Sequence, residues 1–281
     1  MQNAKRIAFQ GEPGAYANLA ALEAVPQAKA IAQATFEAAI DAVRSGDCDL
    51  CIIPVENSLI GRIADIHHLL PDSGLHIVGE HFLPIHHQLL GLQDATLDGI
   101  TDVYSQAPAL AQVRTILRQR KFKAHNWYDT AGSAKHVAAL GDVHAAAIAS
   151  KLAGEIYGLK VLAADVEDEH HNATRFLIMS KTDARTPDTG KVVTTLLFQV
   201  KNAPAALYKA LGAFATNGVN LTKLESYQLG GSFNATQFYA DIQGHPGTPA
   251  VAAALEELRF QTAAMTVMGV YAASPYRDDM P

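Results

Sequence analysis

Over roughly its first 180 residues, the chain alternates short apolar runs with longer segments that have a helical apolar period. The runs 50–53 and 176–179 are continuous and apolar but too short for helices, which is typical of strands buried inside a sheet. Segments such as 130–140 fit helices, and we predict one continuous helix over 108–120. Strands that alternate with helices in this way favour parallel sheets, so we predict an α/β fold.

The pattern changes at a polar stretch over 182–190, which has no apolar period and is predicted to be a linker. Beyond it the predicted elements follow the order βαββαβ, which is the ferredoxin-like arrangement. A sheet this small has edges that invite pairing with a second copy of the chain. The predicted organisation is a first domain over 1–181, with one lobe over about 1–77 and 160–181 and another over about 78–159, and a second domain over 191–281.

Composition excludes several kinds of partner. The formal net charge of −6 argues against nucleic acid, because a nucleic-acid partner needs a basic surface. No apolar segment reaches the ~18–20 residues that a membrane-crossing helix needs, and the N-terminus enters a strand without a signal-peptide core. The two cysteines, Cys48 and Cys51, are interpreted as buried and reduced thiols. We therefore expect a cytoplasmic protein that binds neither nucleic acid nor membrane.

The sequence gives no sign of a metal site. Three histidine pairs occur, at 67–68, 86–87 and 170–171. None of them has helical spacing together with a third ligand, so we interpret them as solvated or loop histidines. The cysteine pair lacks the second pair that would complete a zinc site.

Polar side chains stand where predicted strands begin or end. Thr174 precedes one apolar run, Asn57 follows another and Ser105 closes a third. In open α/β sheets ligands bind at such strand ends, so we expect these side chains to meet in a cleft between the two lobes.

Arg175 follows Thr174, and two roles for it are open. Its fork of donors suits a substrate carboxylate. The alternative is a structural ion pair with Glu56 or Asp168.

The stretch around Thr174 resembles the signature of the prephenate dehydratase family. The matching positions are Tyr157, Leu159, Leu162, Asp168 and Thr174-Arg175-Phe176-Leu177-Ile178-Met179. Three further motifs resemble the family: the glycine turn at 11–16, Val55-Glu56-Asn57-Ser58 with Gly61, and Tyr104-Ser105 with Gln112. Ala17 and Gln106 stand where the family more often has Ser and His. The resemblance covers nearly the whole chain.

The resemblance implies a two-lobed, periplasmic-binding-protein-like catalytic domain with a cleft. It implies a carbon–oxygen lyase that converts prephenate into phenylpyruvate, carbon dioxide and water in L-phenylalanine biosynthesis. Because aromatisation drives that reaction, neither a cofactor nor a metal is expected. The expected catalytic residues are Thr174, Asn57, Ser105 and Gln112, with Thr174 donating a hydrogen bond to the departing hydroxyl group. The expected substrate-binding residues are Arg175, Phe176, Glu56 and Ser58.

The C-terminal region resembles an ACT domain, the βαββαβ module that senses amino acids. The resemblance implies that L-phenylalanine binds two segments, with the effector-binding residues Asn202, Ala203, Ala205, Leu207, Asn220, Leu221, Glu225 and Ser226. The second segment departs from the family, because Tyr227-Gln228 stand where Arg-Pro ordinarily follows. Pairing of such domains implies allosteric regulation in a homodimer or a homotetramer.

Two alternatives remain open from the sequence. Arogenate carries an amine where prephenate carries a ketone, so one contact would separate an arogenate dehydratase from a prephenate dehydratase. The other alternative is a non-catalytic sensor that binds amino acids in a two-lobed α/β domain. A sensor would not need the set formed by Thr174, Asn57, Ser105 and Gln112.

Overall fold

Strands and helices alternate along the chain in the computed structural model, which describes residues 4–186, 189–228 and 235–278. The chain separates into two units: Met1–Ile63 with His81–Phe176 form unit 1, and Ala64–Glu80 with Leu177–Pro281 form unit 2. The predicted α/β fold is confirmed. The domain, lobe and linker boundaries stay predictions, and residues 187 and 188 of the linker lie outside the described residues. Among the described residues, no helix is both long and apolar enough to cross a membrane.

The elements have the following bounds. The strands are β1 (Arg6–Gln10), β2 (Lys29–Gln33), β3 (Leu50–Asn57), β4 (Gly61–Arg62), β5 (His76–Pro84), β6 (Gln88–Gly91), β7 (Asp102–Ser105), β8 (Lys123–Asn126), β9 (Ala145–Ala149), β10 (Lys160–Ala163), β11 (Ala173–Ser180), β12 (Val192–Gln199), β13 (Leu221–Gln228), β14 (Ala235–Gln243) and β15 (Ala264–Ala272). The α-helices are α1 (Tyr16–Ala24), α2 (Phe36–Arg44), α3 (Ala64–Leu69), α4 (Ala107–Ala111), α5 (Arg114–Gln119), α6 (Thr130–Leu140), α7 (Lys151–Tyr157), α8 (Ala206–Thr216) and α9 (Pro249–Gln261). Single turns of 3₁₀ helix cover Leu97–Gly99 and Pro275–Asp278.

The first strands of unit 1 form a mainly parallel arrangement. β11, β3, β1 and β2 are neighbours in that order, and β4 pairs only with β3. β1 runs parallel to β2 and to β3, and its apolar side chains are almost fully buried, as expected for strands covered on both faces. The Ser58 N–H donates to the Ala173 carbonyl at 2.8 Å, which fixes the C-terminal end of β3 beside the start of β11. Asn57 and Thr174 are thereby placed side by side.

Unit 1 also contains a five-stranded sheet with the order β10-β6-β9-β7-β8. β7 runs parallel to β8 and β9, whereas β6 is antiparallel to β9 and β10. The central strand β9 is almost entirely alanine and is buried on both faces between two apolar clusters. Small side chains on this strand allow the covering helices to approach it closely.

The prediction of one helix over 108–120 is wrong, because the helix is broken at Gln112 and Val113. Val113 has φ −125° and ψ 30°, and it separates α4 from α5. The Asp168 carboxylate accepts from the Arg114 and Thr115 N–H groups at 2.9 and 3.0 Å, and its own N–H donates to the Gln112 carbonyl at 2.7 Å. A segment more than 50 residues away therefore satisfies the backbone groups that the break exposes, which apolar periodicity cannot reveal.

Unit 2 contains the predicted βαββαβ order, which is confirmed in β12, α8, β13, β14, α9 and β15. These strands form the antiparallel order β13-β14-β12-β15. The two helices cover one face of these strands, over a core that includes Phe198, Phe214 and Phe238. Ala205 adopts a left-handed conformation (φ 60°) immediately before α8.

β15 of unit 2 also runs parallel to β5, with Gly269 opposite Ile77. A Cβ atom at Gly269 would overlap the Ile77 carbonyl oxygen, so only glycine allows this approach. The Arg277 guanidinium forms a two-pronged ion pair with the fully buried Glu80 side chain, at 2.6 and 2.8 Å. These contacts hold the segment 76–80 within unit 2.

We expect Asp168→Ala to lower the free energy of unfolding by about 1 kcal/mol, because the N-terminal N–H groups of α5 lose their acceptor. Asp168→Asn keeps an acceptor oxygen and should retain most of the stability. Glu169→Ala, which changes the exposed neighbour, is the matched control and should leave stability unchanged. Urea unfolding of the three variants measures this, and equal losses in the Asp168→Ala and Glu169→Ala variants would contradict the capping role.

Candidate active site

A cavity of about 390 Å³ lies in unit 1, and its wall includes residues from both groups of strands and the segments that follow them. The polar and aromatic residues on its wall include Gln10, Tyr16, Asn57, Arg62, His87, Gln106, Gln112, Asp129, Thr130, Thr174 and Phe176. Three of the four predicted catalytic residues, Asn57, Gln112 and Thr174, are therefore brought together.

Thr174 and Asn57 are in direct contact on neighbouring strands. The Asn57 side-chain Nδ2 donates to Thr174 Oγ1 at 3.0 Å, and both side chains are buried. Thr174 is the second residue of β11 rather than part of a loop before it, so its backbone is held by the sheet. A hydroxyl on a strand is more rigidly placed than one on a loop, which suits a site that must be preorganised.

The orientation of the Asn57 amide is fixed by the backbone. Its Oδ1 accepts from the N–H groups of Leu59 and Ile60, both at 3.0 Å. Backbone N–H groups can only donate, so the atom facing them must be the oxygen. The Nδ2 amino group must then face Thr174 and Asn172, and the Asn172 Oδ1 accepts from it at 2.7 Å.

The assignment of amide orientations extends from Asn57 through Asn172 to Gln112, at the break between α4 and α5. With its oxygen facing Asn57, Asn172 donates through Nδ2 to Gln112 Oε1 at 2.8 Å. Asn172 is 2% exposed and is held two residues before Thr174, at a position that the sequence does not distinguish from an ordinary loop residue. Gln112 is the C-terminal cap of α4, and at this break its side chain contacts the Asn172 amide.

His87 is a cavity residue that the sequence analysis missed. Its Nε2 lies 2.8 Å from Gln112 Oε1, and its Nδ1 lies 2.8 Å from the Tyr16 hydroxyl. The Tyr16 hydroxyl also lies 2.9 Å from the His86 carbonyl oxygen. A histidine next to a short apolar strand gives no sequence signal for such a role, because its partners lie 25 and 71 positions away.

A buried carboxylate holds the segment that carries His87. Glu167 Oε2 accepts from the His87 N–H at 2.8 Å, and Oε1 lies 2.9 Å from His86 Nδ1. Burial raises the pKa of the Tyr16 hydroxyl well above its ordinary value, and the nearby Glu167 and Asp165 carboxylates raise it further. Burial is also the main cause that lowers the pKa of His87. Tyr16 is therefore a proton donor and His87 is neutral at neutral pH.

One hydrogen-bond chain thus links Thr174, Asn57, Asn172, Gln112 and His87. In it Asn57 donates to both Thr174 and Asn172, and Asn172 donates to Gln112. Thr174 Oγ1 accepts from Asn57, so its own proton is left for another acceptor. Among the described residues, none accepts the Thr174 proton, and Thr174 lines the cavity. The arrangement therefore presents a hydroxyl donor to whatever occupies the cavity.

Arg175 adopts the structural alternative that the sequence left open. Its guanidinium forms an ion pair with Glu56 at 2.9 Å, lies 5.9 Å from the centre of the Phe82 ring and is 2% exposed. The described cavity wall includes Phe176 but neither Arg175 nor Glu56. Of the cavity-lining residues that the structure describes, Arg62 is the only lysine or arginine.

Ser58 and Ser105 have structural contacts. The Ser58 hydroxyl accepts from the Ala173 N–H at 2.9 Å and donates to the His171 carbonyl at 2.9 Å, which anchors the start of β11. The Ser105 hydroxyl is fully buried and donates to the Ile148 carbonyl at 2.7 Å. The described cavity wall includes the next residue, Gln106, and not Ser105. The structure therefore does not bring Ser105 together with Thr174.

The predicted effector residues lie in unit 2 on two segments, the loop before α8 and the strand β13. Asn202, Ala203 and Ala205 are exposed, whereas Glu225 is partly buried and pairs with Lys223 at 3.1 Å. Asn220 Nδ2 donates to Gln243 Oε1 at 3.1 Å. The remaining predicted residues are the partly buried Leu207 and Leu221 and the exposed Ser226.

A second cavity, of about 410 Å³, lies in unit 2 at the C-terminal end of β13. Its wall includes Tyr227 and Gln228, the two residues that depart from the family motif, together with Gln199 and Gln237. None of the predicted effector residues belongs to the described wall of this cavity.

One group of side chains in the described residues has a composition that suits a metal ion. His86, Asp165 and Glu167 place their ligand atoms within 4.8 Å of one another. Hydrogen bonds within the chain account for their positions, because Glu167 binds both His86 and the His87 N–H, and Gln88 donates to Asp165 at 2.9 Å.

Comparisons with known proteins identify the family of the chain. The family described as prephenate dehydratase matches residues 7–184. A bifunctional N-acyl-homoserine lactone acylase/prephenate dehydratase of Komagataeibacter europaeus is 48% identical over 278 residues, which are 99% of this chain and 99% of the relative. The chloroplastic arogenate dehydratase 5 of Arabidopsis thaliana is 37% identical over 95% of this chain and 67% of its own length. The crystal structure of prephenate dehydratase in complex with L-Phe from Arthrobacter aurescens has a TM-score of 0.88 at 29% identity, over 98% of this chain and 91% of that one.

The family match covers more than half of the chain, and the Komagataeibacter relative matches it almost from end to end. The motifs around Thr174, Asn57 and Gln112 fall inside the matched residues. This chain therefore belongs to the prephenate dehydratase family.

Proposed function

We propose that this protein is a prephenate dehydratase, a hydro-lyase that converts prephenate into phenylpyruvate in the biosynthesis of L-phenylalanine. The observation that carries the proposal is the hydrogen-bond chain, which leaves the Thr174 hydroxyl as a donor on the cavity wall. The family to which the chain belongs has the same activity in its description.

In the proposed reaction, the ring carboxylate of prephenate leaves as carbon dioxide. The electron pair of the broken carbon–carbon bond enters the ring while the C4–oxygen bond breaks, and the departing hydroxide takes up a proton from solvent and leaves as water. Thr174 stabilises the developing negative charge on that oxygen with a hydrogen bond. A threonine hydroxyl is a weak acid, so hydrogen bonding suits it better than full proton transfer.

The amides of Gln112 and Asn57 fit a reaction in which a carboxylate must depart. A strong ion pair to that carboxylate would stabilise the substrate and oppose its loss, whereas neutral groups do not. The second carboxylate of prephenate, on the pyruvyl side chain, needs a cation. We propose Arg62 for it in place of Arg175, because Arg62 lines the cavity and Arg175 is engaged with Glu56. Phe176 adds an apolar surface for the ring.

Arogenate is the alternative substrate, and relatives named arogenate dehydratase support it. Arogenate carries an ammonium group that prephenate lacks, and Asp129 is a carboxylate on the cavity wall. Asp129 Oδ1 accepts from the Gly132 N–H at 2.5 Å as the N-terminal cap of α6, so its position is fixed by the helix. We propose that Asp129 favours arogenate through its charge.

A second candidate activity is hydrolysis of N-acyl-homoserine lactones. It is favoured by the Komagataeibacter relative, whose name includes that acylase activity and which matches 99% of both chains. The apolar part of the cavity wall, with Phe36, Ile60 and Ile63, offers room for an acyl chain. Release of homoserine lactone from an N-acyl substrate tests this candidate directly.

We propose that unit 2 acts as an ACT domain that binds L-phenylalanine at the predicted effector residues and regulates the enzyme allosterically. The related Arthrobacter structure contains L-Phe, which supports this ligand. We also propose that the protein forms a homodimer or a homotetramer in the cytoplasm, because the edges of such a small sheet can pair with a second copy of the chain. Glu225 is the carboxylate that would meet the ammonium group of the amino acid.

We expect Thr174→Val to lower kcat by about a hundredfold or more, because it removes the donor and keeps the size of the side chain. Thr174→Ser keeps the hydroxyl and is the matched control, for which we expect a much smaller loss. Phenylpyruvate formed from prephenate is measured by its absorbance in alkali. A Thr174→Val enzyme within threefold of the wild type would remove Thr174 from the proposed mechanism.

We expect Asp129→Asn to reduce kcat/KM for arogenate by about tenfold relative to prephenate, because one charge pair is worth roughly that much in a partly buried site. Asparagine caps helices as well as aspartate does, so α6 should be preserved. Asp142→Asn, at an exposed aspartate, is the control. An unchanged ratio of the two substrates would exclude Asp129 as the selecting residue.

We expect equilibrium dialysis to detect L-phenylalanine binding at millimolar concentration and Glu225→Gln to weaken it, because the ammonium group loses a carboxylate partner. Glu256→Gln, on the exposed surface of α9, is the control. No binding by the wild-type protein would rule out the effector proposal.

A further inference from the structure

His87 has a role that neither the motifs nor the relatives assign. Its imidazole is 2% exposed, lines the cavity and has a partner at each nitrogen: the Tyr16 hydroxyl at Nδ1 and Gln112 Oε1 at Nε2, both at 2.8 Å. The Tyr16 and His87 rings also meet edge to face with centroids 5.6 Å apart. A buried imidazole with both nitrogens engaged is held in one orientation.

The proton on His87 is fixed by the hydrogen-bond chain. Gln112 Oε1 already accepts from Asn172 Nδ2, whose own direction follows from Asn57 and the backbone N–H groups. A carbonyl oxygen cannot donate, so the His87 nitrogen that faces it must carry the hydrogen. His87 is therefore the Nε2–H tautomer.

Tyr16 completes the arrangement at the other nitrogen. In neutral His87 with a hydrogen on Nε2, Nδ1 has a lone pair and needs a donor. The Tyr16 hydroxyl is the donor within reach, and it shares its single hydrogen between His87 Nδ1 at 2.8 Å and the His86 carbonyl oxygen at 2.9 Å. It remains protonated because burial and the nearby carboxylates of Glu167 and Asp165 raise its pKa. Burial also keeps His87 neutral beside His86 and Glu167, the other titratable groups that face it.

We propose that His87 is a positioning residue, which donates from Nε2 to the Gln112 carbonyl and so directs the Gln112 amino group toward the substrate. Two donors, His87 and Asn172, then occupy the Gln112 oxygen. If the Gln112 amide flipped, its amino group would face both donors, and this clash excludes the flipped orientation. This inference rests on the proposed dehydratase function.

Direct proton transfer from His87 to the substrate does not fit this geometry. The hydrogen on Nε2 is directed at Gln112, and Nδ1 is occupied by Tyr16. His87 acts on the reaction through Gln112, so its effect should disappear when Gln112 is absent.

The kinetic test is a double-mutant cycle with prephenate as substrate. We expect His87→Leu to lower kcat/KM by about tenfold, the effect of one lost hydrogen bond in a buried site. His87→Gln retains a side-chain amide donor and should recover part of the loss. In a Gln112→Ala background, adding His87→Leu should cost little more, because the two residues act together. Fully additive losses in the double variant would overturn the proposal.

Nitrogen-15 NMR of histidine-labelled protein gives a second readout that does not need turnover. We expect His87 in the wild type to show the neutral Nε2–H pattern, and Tyr16→Phe to weaken that preference while thermal unfolding shows the protein still folded. A neutral Nδ1–H pattern in the wild type would overturn the proposed donation from His87 Nε2 to Gln112. Absence of prephenate turnover in the wild type would instead refute the proposed function, while the NMR result would still decide the tautomer.

Discussion

Two backbone N–H groups, those of Leu59 and Ile60, set the direction of the hydrogen bonds in the cavity. They require the Asn57 oxygen to face them, so the Asn57 amino group faces Thr174 and Asn172. The Asn172 amino group must then face the Gln112 oxygen. Side-chain amides can flip, whereas a backbone N–H on a turn that directly follows a strand cannot. The site therefore derives its order from the main chain, and the Thr174 hydroxyl inherits a defined role as donor to the cavity.

The fold supplies this order through contacts between distant segments. β3 delivers Asn57, β11 delivers Thr174, and the broken helix delivers Gln112. Asp168 stabilises the break with its carboxylate and, through its N–H, holds the Gln112 carbonyl. It lies within the same family signature as Thr174, so one stretch of sequence contributes both the hydroxyl on the cavity wall and the cap that stabilises the helix break at Gln112.

Charge is distributed in unit 1 so that strong ion pairs stay away from the Thr174 hydroxyl. Arg175 and Glu56 neutralise each other outside the described cavity wall, and the side chain that contacts the Thr174 hydroxyl is the neutral Asn57 amide. A buried ion pair of this kind fixes geometry more than it adds stability, because desolvation offsets much of the attraction. Unit 2 uses the same device in the pair between Arg277 and Glu80. In unit 2, Gly269 permits a close approach of β15 to β5 that any side chain would prevent.

The sequence by itself determined the α/β alternation, the βαββαβ order and the candidates Thr174, Asn57 and Gln112, because apolar periods and short motifs are local properties of the chain. Only the tertiary structure decided the break at Gln112, the ion pair of Arg175, the buried position of Ser105 and the presence of Asn172 and His87 in the site. Each of those depends on a partner far along the chain: Asn57 and Asn172 are 115 positions apart, and Asp168 and Arg114 are 54 apart. Local pattern fixes which segments form strands and helices, whereas the partner of a polar side chain is set by packing that no local pattern records.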